Sequence, residues 1–474
     1  MAAREQRRPS ASRVGSAKSM ALGALGAVAI ALPSLLWLAG FTVDDALISA
    51  RVAHHLAIGV GYRMSSGGPV VDAVTPFGYA WVLAPFARAG VLSTLSAAKG
   101  LGAGCWLAAV AILGGATARL GGARLRFAPL ALLGACTPLA AWASSGMETG
   151  IVLLLATLAL GSGSFAALCA GVAAAWRPEL LPWALVLRVG LAWGAPRRMA
   201  GHAALLLVPV ALVVCARASL FGATFPLSAL AKPSDLAHGL RYALGAVLLT
   251  GPPLLVIARP RQLPLRERVM LLAAGVHFVS LLLAGGDWMP LYRLATPVLP
   301  SLVWIGVVLA RAARPWATAV RVGAALVPCA LIAIYIGPSA AAVGAHRRAL
   351  IEAARPELAG YRRIAALDVG WVGAASSASI VDLAGVTDPT VARLSGSHTD
   401  KHLPAGFVRA REVDAVVLLL APGEPAAPPW PERMQRTVDA RAAAQAAALG
   451  FERAAVLPLG GTTQSYVVLA APRP

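Results

Sequence analysis

Apolar positions in this chain come mostly in long unbroken runs, not in the alternating or one-sided patterns of a water-soluble domain. The runs lie at 20–41, 97–118, 127–142, 149–160, 165–176, 180–191, 202–221, 240–258, 269–284, 291–310 and 318–336. A helix of about twenty apolar residues spans the hydrocarbon of a bilayer. The pattern therefore predicts an α-helical polytopic membrane protein with about eleven transmembrane helices. The runs at 149–160, 165–176 and 180–191 are short for a crossing and imply tilted or re-entrant segments. The first run has the place of a signal peptide, but its length suits a retained span.

Two regions break this pattern. The stretch 42–96 is too polar to span and forms a large first loop. Its opening, FTVDDALISARVAHHLA, reads as a helix. At about 100° per residue, Asp44, Arg51 and His55 share one stripe and Asp45 lies about a quarter turn away. A second short amphipathic stretch covers 76–88. The other region begins near 345, where the composition becomes that of a soluble domain running to 474. Strands are expected at 364–372, 379–386, 414–420 and 465–471, and a helix in MQRTVDARAAAQAAALG, ending at Gly450. This is a small α/β domain. APGEPAAPPWP is expected to form a rigid loop.

Composition agrees with lipid as the solvent. Of 474 residues, 58% are hydrophobic and 13% charged, against about a quarter charged in soluble chains. Charge inside lipid costs several kcal/mol unless paired. The net charge of +20 could signal nucleic acid. Here the Lys and Arg sit in short links between apolar runs, the pattern of topology signals and anionic-lipid contact, so no nucleic-acid partner is expected. A basic tail, 1–19, with Arg4, Arg7, Arg8, Arg13 and Lys18, is expected to be disordered and cytoplasmic. Alternate links then carry Arg119, Arg124 and Arg126; Arg197 and Arg198; Arg259, Arg261, Arg266 and Arg268; and Arg311 and Arg314. The acids Asp44, Asp45, Asp72, Glu148, Glu179, Asp235 and Asp287 fall on the other side, which favours one shared outer cavity. The membrane domain occupies 20–340, with the C-terminal domain periplasmic. Cys105, Cys136, Cys169, Cys215 and Cys329 lie in apolar runs without a CxxC and read as small core residues.

Several motifs could carry chemistry. Transfer onto a hydroxyl needs a base for its proton, and Asp44 or Asp45 is the candidate; the same acids would also suit a helix cap. Arg51 and His55 are candidate substrate contacts or a helix-face pair with Asp44. Adjacent His54 and His55 point apart, so no complete set of metal ligands is evident. Glu148, in ASSGMETG, faces the cavity or caps the next helix. Arg177 and Glu179, flanking Pro178, contact substrate or form a structural ion pair. Lys232 and Arg293 are candidate phosphate contacts, since the Arg fork makes two parallel charge-assisted bonds. In GGDWMPLYRLATPVLP, Asp287 and Tyr292 stand beside Arg293, and Asp287 could instead pair with it.

The ordered set DDALISARVAHHLAIGVGYRMSSGGPVVDAVTPFGYAWVLAP, SGMETG, RPE, a loop Lys, GGDWMPLYRLATPVLP and VDLAGVTDP resembles the GT-C-type integral membrane glycosyltransferases. It is most similar to the branch with the mycobacterial terminal arabinofuranosyltransferases. The resemblance covers nearly the whole chain. It implies a GT-C-like helical fold and inverting transfer from a polyprenyl-phosphate sugar donor to a cell-envelope glycan or lipid acceptor, on the outer face of the bacterial inner membrane. The base maps to Asp44 or Asp45, with Asp44 expected to take the acceptor proton and Asp45 to orient it or share the role, and Arg293 with Lys232 maps to the donor phosphate. Leu47 replaces an aromatic usual in that branch, and VDAVTPFGY, with Asp72 and Thr75, replaces its EGYTN-like string. No nucleotide is expected; a divalent metal is compatible with the acids. The alternatives are a lipid or glycan transporter or flippase, which predicts internal repeats, and a non-catalytic envelope scaffold.

Overall fold

The computed structural model describes residues 17–120, 124–256 and 263–472. The first sixteen residues of the expected basic tail, with Arg4, Arg7, Arg8 and Arg13, lie outside the described residues, as do Arg259 and Arg261.

The protein is mostly helical. Five helices are long and apolar enough to cross a membrane: Ala17–Gly40, Val91–Ala118, Pro196–Phe221, Arg293–Ala312 and Pro315–Glu357. The pair Phe127–Ala135 and Thr137–Ser144, bent by 51°, makes a sixth if it crosses as one. Helices Thr149–Ala159, Ser164–Trp176 and Leu236–Leu249 are apolar but shorter. Length and composition thus account for fewer crossings than the expected number of about eleven. Pro178 cuts one apolar stretch into short pieces, and helix Leu265–Leu283 opens with Arg266, Glu267 and Arg268.

The outward faces of these helices are apolar. Along Pro196–Phe221 only Leu206 and Arg217 are buried, while Leu207, Val208, Leu212 and Leu220 are exposed. Leu240, Leu244 and Leu248 form a similar stripe on their helix. Such apolar outward faces are consistent with a membrane protein. Inside, small residues let backbones approach. A Cβ on Gly114 would lie 2.4 Å from the Gly23 carbonyl oxygen, and one on Gly150 2.3 Å from that of Gly102. Close small-residue crossings supply the van der Waals contact that joins helices where lipid removes the hydrophobic drive. Trp106, Leu132, Trp183 and Leu299 fill the core between them.

The first loop holds the expected helix, Asp44–Ala57, then a short helix Tyr79–Leu83 and a tight turn Ala84–Phe86. The next long helix starts at Val91, six residues before the apolar run that marks it in the sequence. The last apolar helix does not stop at the composition change. Pro315–Tyr335 is followed by Gly337–Glu357, which leads directly into the C-terminal domain.

That domain carries a five-stranded sheet. Its strands are β1 (Arg363–Ala366), β2 (Ser379–Asp382), β3 (Ala415–Leu419), β4 (Glu452–Pro458) and β5 (Ser465–Ala470), in the order β2-β1-β3-β5-β4. β1 runs parallel to β2 and β3; β5 is antiparallel to β3 and β4. Two expectations are corrected. The run 364–372 is a strand only to Ala366 and turns helical at Val369–Ala375. β4 is an additional strand; its first three residues, Glu452, Arg453 and Ala454, are exposed, so it lacks the apolar alternation that marks strands. Helix Thr437–Ala448 covers one face of the sheet.

Candidate functional site

Helix breaks build the site. Gly146 turns the chain at a φ of 87°, and a Cβ there would meet Leu95 Cδ1 at 2.6 Å. This delivers Glu148 to the start of helix Thr149–Ala159. Its side chain does not cap that helix; it pairs with Arg177. Arg177 leaves helix Ser164–Trp176 just before Pro178, and its Nη1 also lies 3.7 Å from Glu179 Oε1. The second break is GGDWMPLYR. Gly285 and Gly286 have φ of 85° and 72°, and Leu291 and Tyr292, neither a glycine, have φ of 58° and 50°. Each such non-glycine costs about 1–3 kcal/mol and persists only where neighbours hold it. Here Trp142 Nε1 donates to the Leu291 carbonyl at 3.0 Å, and Leu294 N donates to the Tyr242 hydroxyl at 2.9 Å. The turn aims Arg293 inward. Its Nε donates to Asp287 Oδ2 at 2.8 Å, and its guanidinium lies 5.5 Å from the Trp142 ring centre.

These turns, with the first turn of helix Asp44–Ala57 and the loop after Pro226, enclose a cleft of about 320 Å³. Asp45, Glu148, Arg177, Glu179, Lys232, Asp287 and Arg293 all line it, together with Thr75, Ser228 and Val386. Six separate segments of the helical region thus meet at one place. Two charges are uncommitted. Among the described residues, neither the Asp45 carboxylate nor the Lys232 ammonium makes a hydrogen bond or ion pair. Burial raises the Asp287 carboxyl, but Arg293, Lys232 and Arg177 together outweigh it and hold it below the usual carboxylate range. Burial pushes Glu179 up despite Arg177.

Four of the expected site residues lie elsewhere. Asp44 accepts from the backbone N–H groups of Gly370 at 2.7 Å and Trp371 at 2.8 Å, capping helix Val369–Ala375 of the C-terminal domain. Arg347 stands 3.9 Å away. Burial and the neighbouring Asp368 push the Asp44 carboxyl up to about 7, against Arg347 and the two N–H donors. Arg51 is buried and donates to the carbonyls of Met64 (2.7 Å), Ser376 (2.8 Å), Ala378 (3.2 Å) and Gly373. His55 Nδ1 lies 2.8 Å from the Arg63 carbonyl. The Asp44, Arg51, His55 stripe therefore packs against protein, two of its three members against the C-terminal domain, and the quarter-turn offset places Asp45 in the cleft. Tyr292 packs edge-on against Tyr242, with ring centres 5.5 Å apart.

Residues 342–468 match a family model described as a domain of unknown function (DUF8728). No curated protein matches the chain, and no solved structure does. The matched region holds every backbone group that Asp44 uses and three of the four carbonyls that Arg51 uses, and it contributes Val386 to the cleft.

Positions that carry no motif also serve the cleft. His277 stands between its two turns, with Nδ1 3.2 Å from the Glu179 carbonyl and Nε2 2.8 Å from that of Leu294. It lies in the middle of an apolar run, where nothing in the sequence distinguishes it. His398, from the C-terminal domain, sits 5.5 Å from Trp288. Burial and Lys232 lower its imidazole to about 4, so it is neutral beside the cleft charges. Asp72 forms a 3.0 Å pair with Arg217, which also donates to the Thr75 carbonyl, and Thr75 Oγ1 meets Ser228 Oγ at 2.8 Å. This string shapes one wall of the cleft. Leu47 is fully buried against the C-terminal domain, away from the cleft. Among the described residues, no group of three or more His, Cys, Asp or Glu is placed to hold a metal ion.

Proposed function

We propose that this protein is an inverting membrane glycosyltransferase, moving a sugar from a polyprenyl-phosphate donor to a hydroxyl of a cell-envelope glycan or lipid. The supporting observation is the uncommitted carboxylate of Asp45 in the same cleft as the uncommitted Lys232 and the guanidinium of Arg293. The acceptor oxygen attacks the anomeric carbon while the bond from that carbon to the phosphate oxygen breaks. The acceptor proton passes to Asp45, and the lipid phosphate leaves toward Lys232 and Arg293. Base catalysis of this kind contributes about 10²–10⁴-fold. Charge held in place for the leaving phosphate stabilises the transition state without reorganisation. About eleven crossings with a cytoplasmic N-terminus would set the cleft and the C-terminal domain on the periplasmic side, where such donors are presented.

Purified protein in lipid nanodiscs, supplied with polyprenyl-phosphate sugars and a hydroxyl acceptor, tests this reading. Asp45→Asn is expected to lower turnover by about 10²-fold or more, while Asp44→Asn keeps most activity per folded molecule. Lys232→Ala and Arg293→Gln should weaken donor use. Undiminished turnover by Asp45→Asn would remove the base assignment. Donor moved across the bilayer chemically unchanged would replace the enzyme with a flippase.

A further inference from the structure

A second cavity, of about 570 Å³, lies at the opposite end of helix Thr149–Ala159 from Glu148. Arg188, Arg198, His202 and Arg266 line it, together with Ser162 and Ser164, and among the described residues no acidic one does. Arg188 is fully buried, at 1% exposure. It donates to the carbonyls of Ala159 (3.0 Å), Gly161 (2.8 Å) and Gly163 (2.9 Å), and its Nε has no partner. Arg266 donates to the Leu160 carbonyl at 2.7 Å. His202 Nδ1 lies 3.2 Å from the Arg188 carbonyl, which leaves Nε2 free. Arg198 is exposed and, like the two serine hydroxyls, makes no hydrogen bond or ion pair among the described residues.

The bland account is that Arg188 and Arg266 cap the C-terminal carbonyls of helix Thr149–Ala159. That end carries about half a negative charge, against three guanidinium groups, of which Arg188 is buried while Arg198 and Arg266 are exposed. The next helix, Ser164–Trp176, presents its positive N-terminus to the same cavity. A buried cation without a counter-charge is strongly unfavourable. Among the described residues, no acid lines the cavity to balance the buried Arg188.

We infer that this cavity is an anion site for a phosphate group, held by Arg188, Arg198, Arg266 and His202 with Ser162 and Ser164 as hydroxyl donors. The phosphate comes from an anionic lipid headgroup or from free phosphate. The inference stands on its own residues and does not depend on the cleft chemistry.

The test uses the full chain in nanodiscs of phosphatidylcholine alone or mixed equally with phosphatidylglycerol, and in detergent with inorganic phosphate. Bound phosphatidylglycerol is counted by native mass spectrometry, and phosphate is followed by thermal shift. Saturable binding of either ligand, weakened roughly thirtyfold in Arg198→Ala, Arg266→Ala, supports the site, and the ligand that saturates names the source. Arg197→Ala, one residue from Arg198 and outside the cavity, should bind as the parent does. Binding unchanged in the double variant, weakened equally by Arg197→Ala, or absent for both ligands overturns the inference.

Discussion

Asp44 and Asp45 are adjacent, yet their carboxylates serve different structures. Successive helical residues point about 100° apart. One acid therefore meets the C-terminal domain at Gly370 and Trp371, while the other meets the cleft. Their protonation should diverge too. The Asp44 carboxyl titrates near 3.8 when free and near about 7 in the fold. A raised acid favours the protonated form in the native state. Its contribution to stability is therefore full below the unfolded value and is lost as pH rises through about 7. Asp44→Asn stays neutral throughout and should remove this part of the pH slope. Thermal melting followed by circular dichroism, at several pH values across that window, checks this. Identical slopes in the two proteins would show that Asp44 is already ionised in the fold.

Among elements, the turn between helix Leu265–Leu283 and helix Leu299–Ala312 decides where Arg293 points. Gly286 has a φ of 72°, and a Cβ there would lie 2.6 Å from Tyr242 Cβ. Gly286→Ala is expected to destabilise the protein by about 1–3 kcal/mol and to move Arg293 off Asp287. Weakened donor use should accompany the lower melting temperature, and a lower melting temperature alone would mean that the turn is only structural. This element also marks what was legible in the sequence. Paired glycines and prolines beside charged residues identify the turn, and apolar run length identifies the long helices. Of the acids expected to share one outer cavity, Asp45, Glu148, Glu179 and Asp287 line the cleft, while Asp44 caps helix Val369–Ala375, Asp72 pairs with Arg217 and Asp235 caps helix Leu236–Leu249. The stripe of Asp44, Arg51 and His55 pointed to the wrong face. Periodicity places residues on a common side of a helix, but what covers that side comes from Gly370 to Ala378, more than three hundred residues later. His277 was illegible for a related reason: its partners are backbone carbonyls, which have no sequence signature.

For the whole molecule, the C-terminal domain is part of the cleft's foundation and not an appendage. Leu47 from the first loop and Leu92 and Leu95 from helix Val91–Ala118 pack with Ile364, Val417, Val468 and Trp371 in one apolar cluster. Arg51 adds three charge-assisted bonds to carbonyls of the domain at a buried joint. Replacing it by Met would leave those carbonyls without their donor, at a cost of about 3 kcal/mol or more. Gly370→Ala would strike the same joint sterically, since its Cβ would lie 2.2 Å from the Asp44 carbonyl oxygen. Both variants should speed hydrogen exchange across Val369–Ala375 and lower turnover, because helix Asp44–Ala57 carries Asp45 on the far side of the same joint. Residues 342–472 expressed alone should expose the apolar face that Leu47 covers and should aggregate or melt early. A soluble, cooperatively folded fragment, together with unchanged exchange in Arg51→Met, would mean that the domain is independent of the helices and that Asp45 is positioned by the helical region alone.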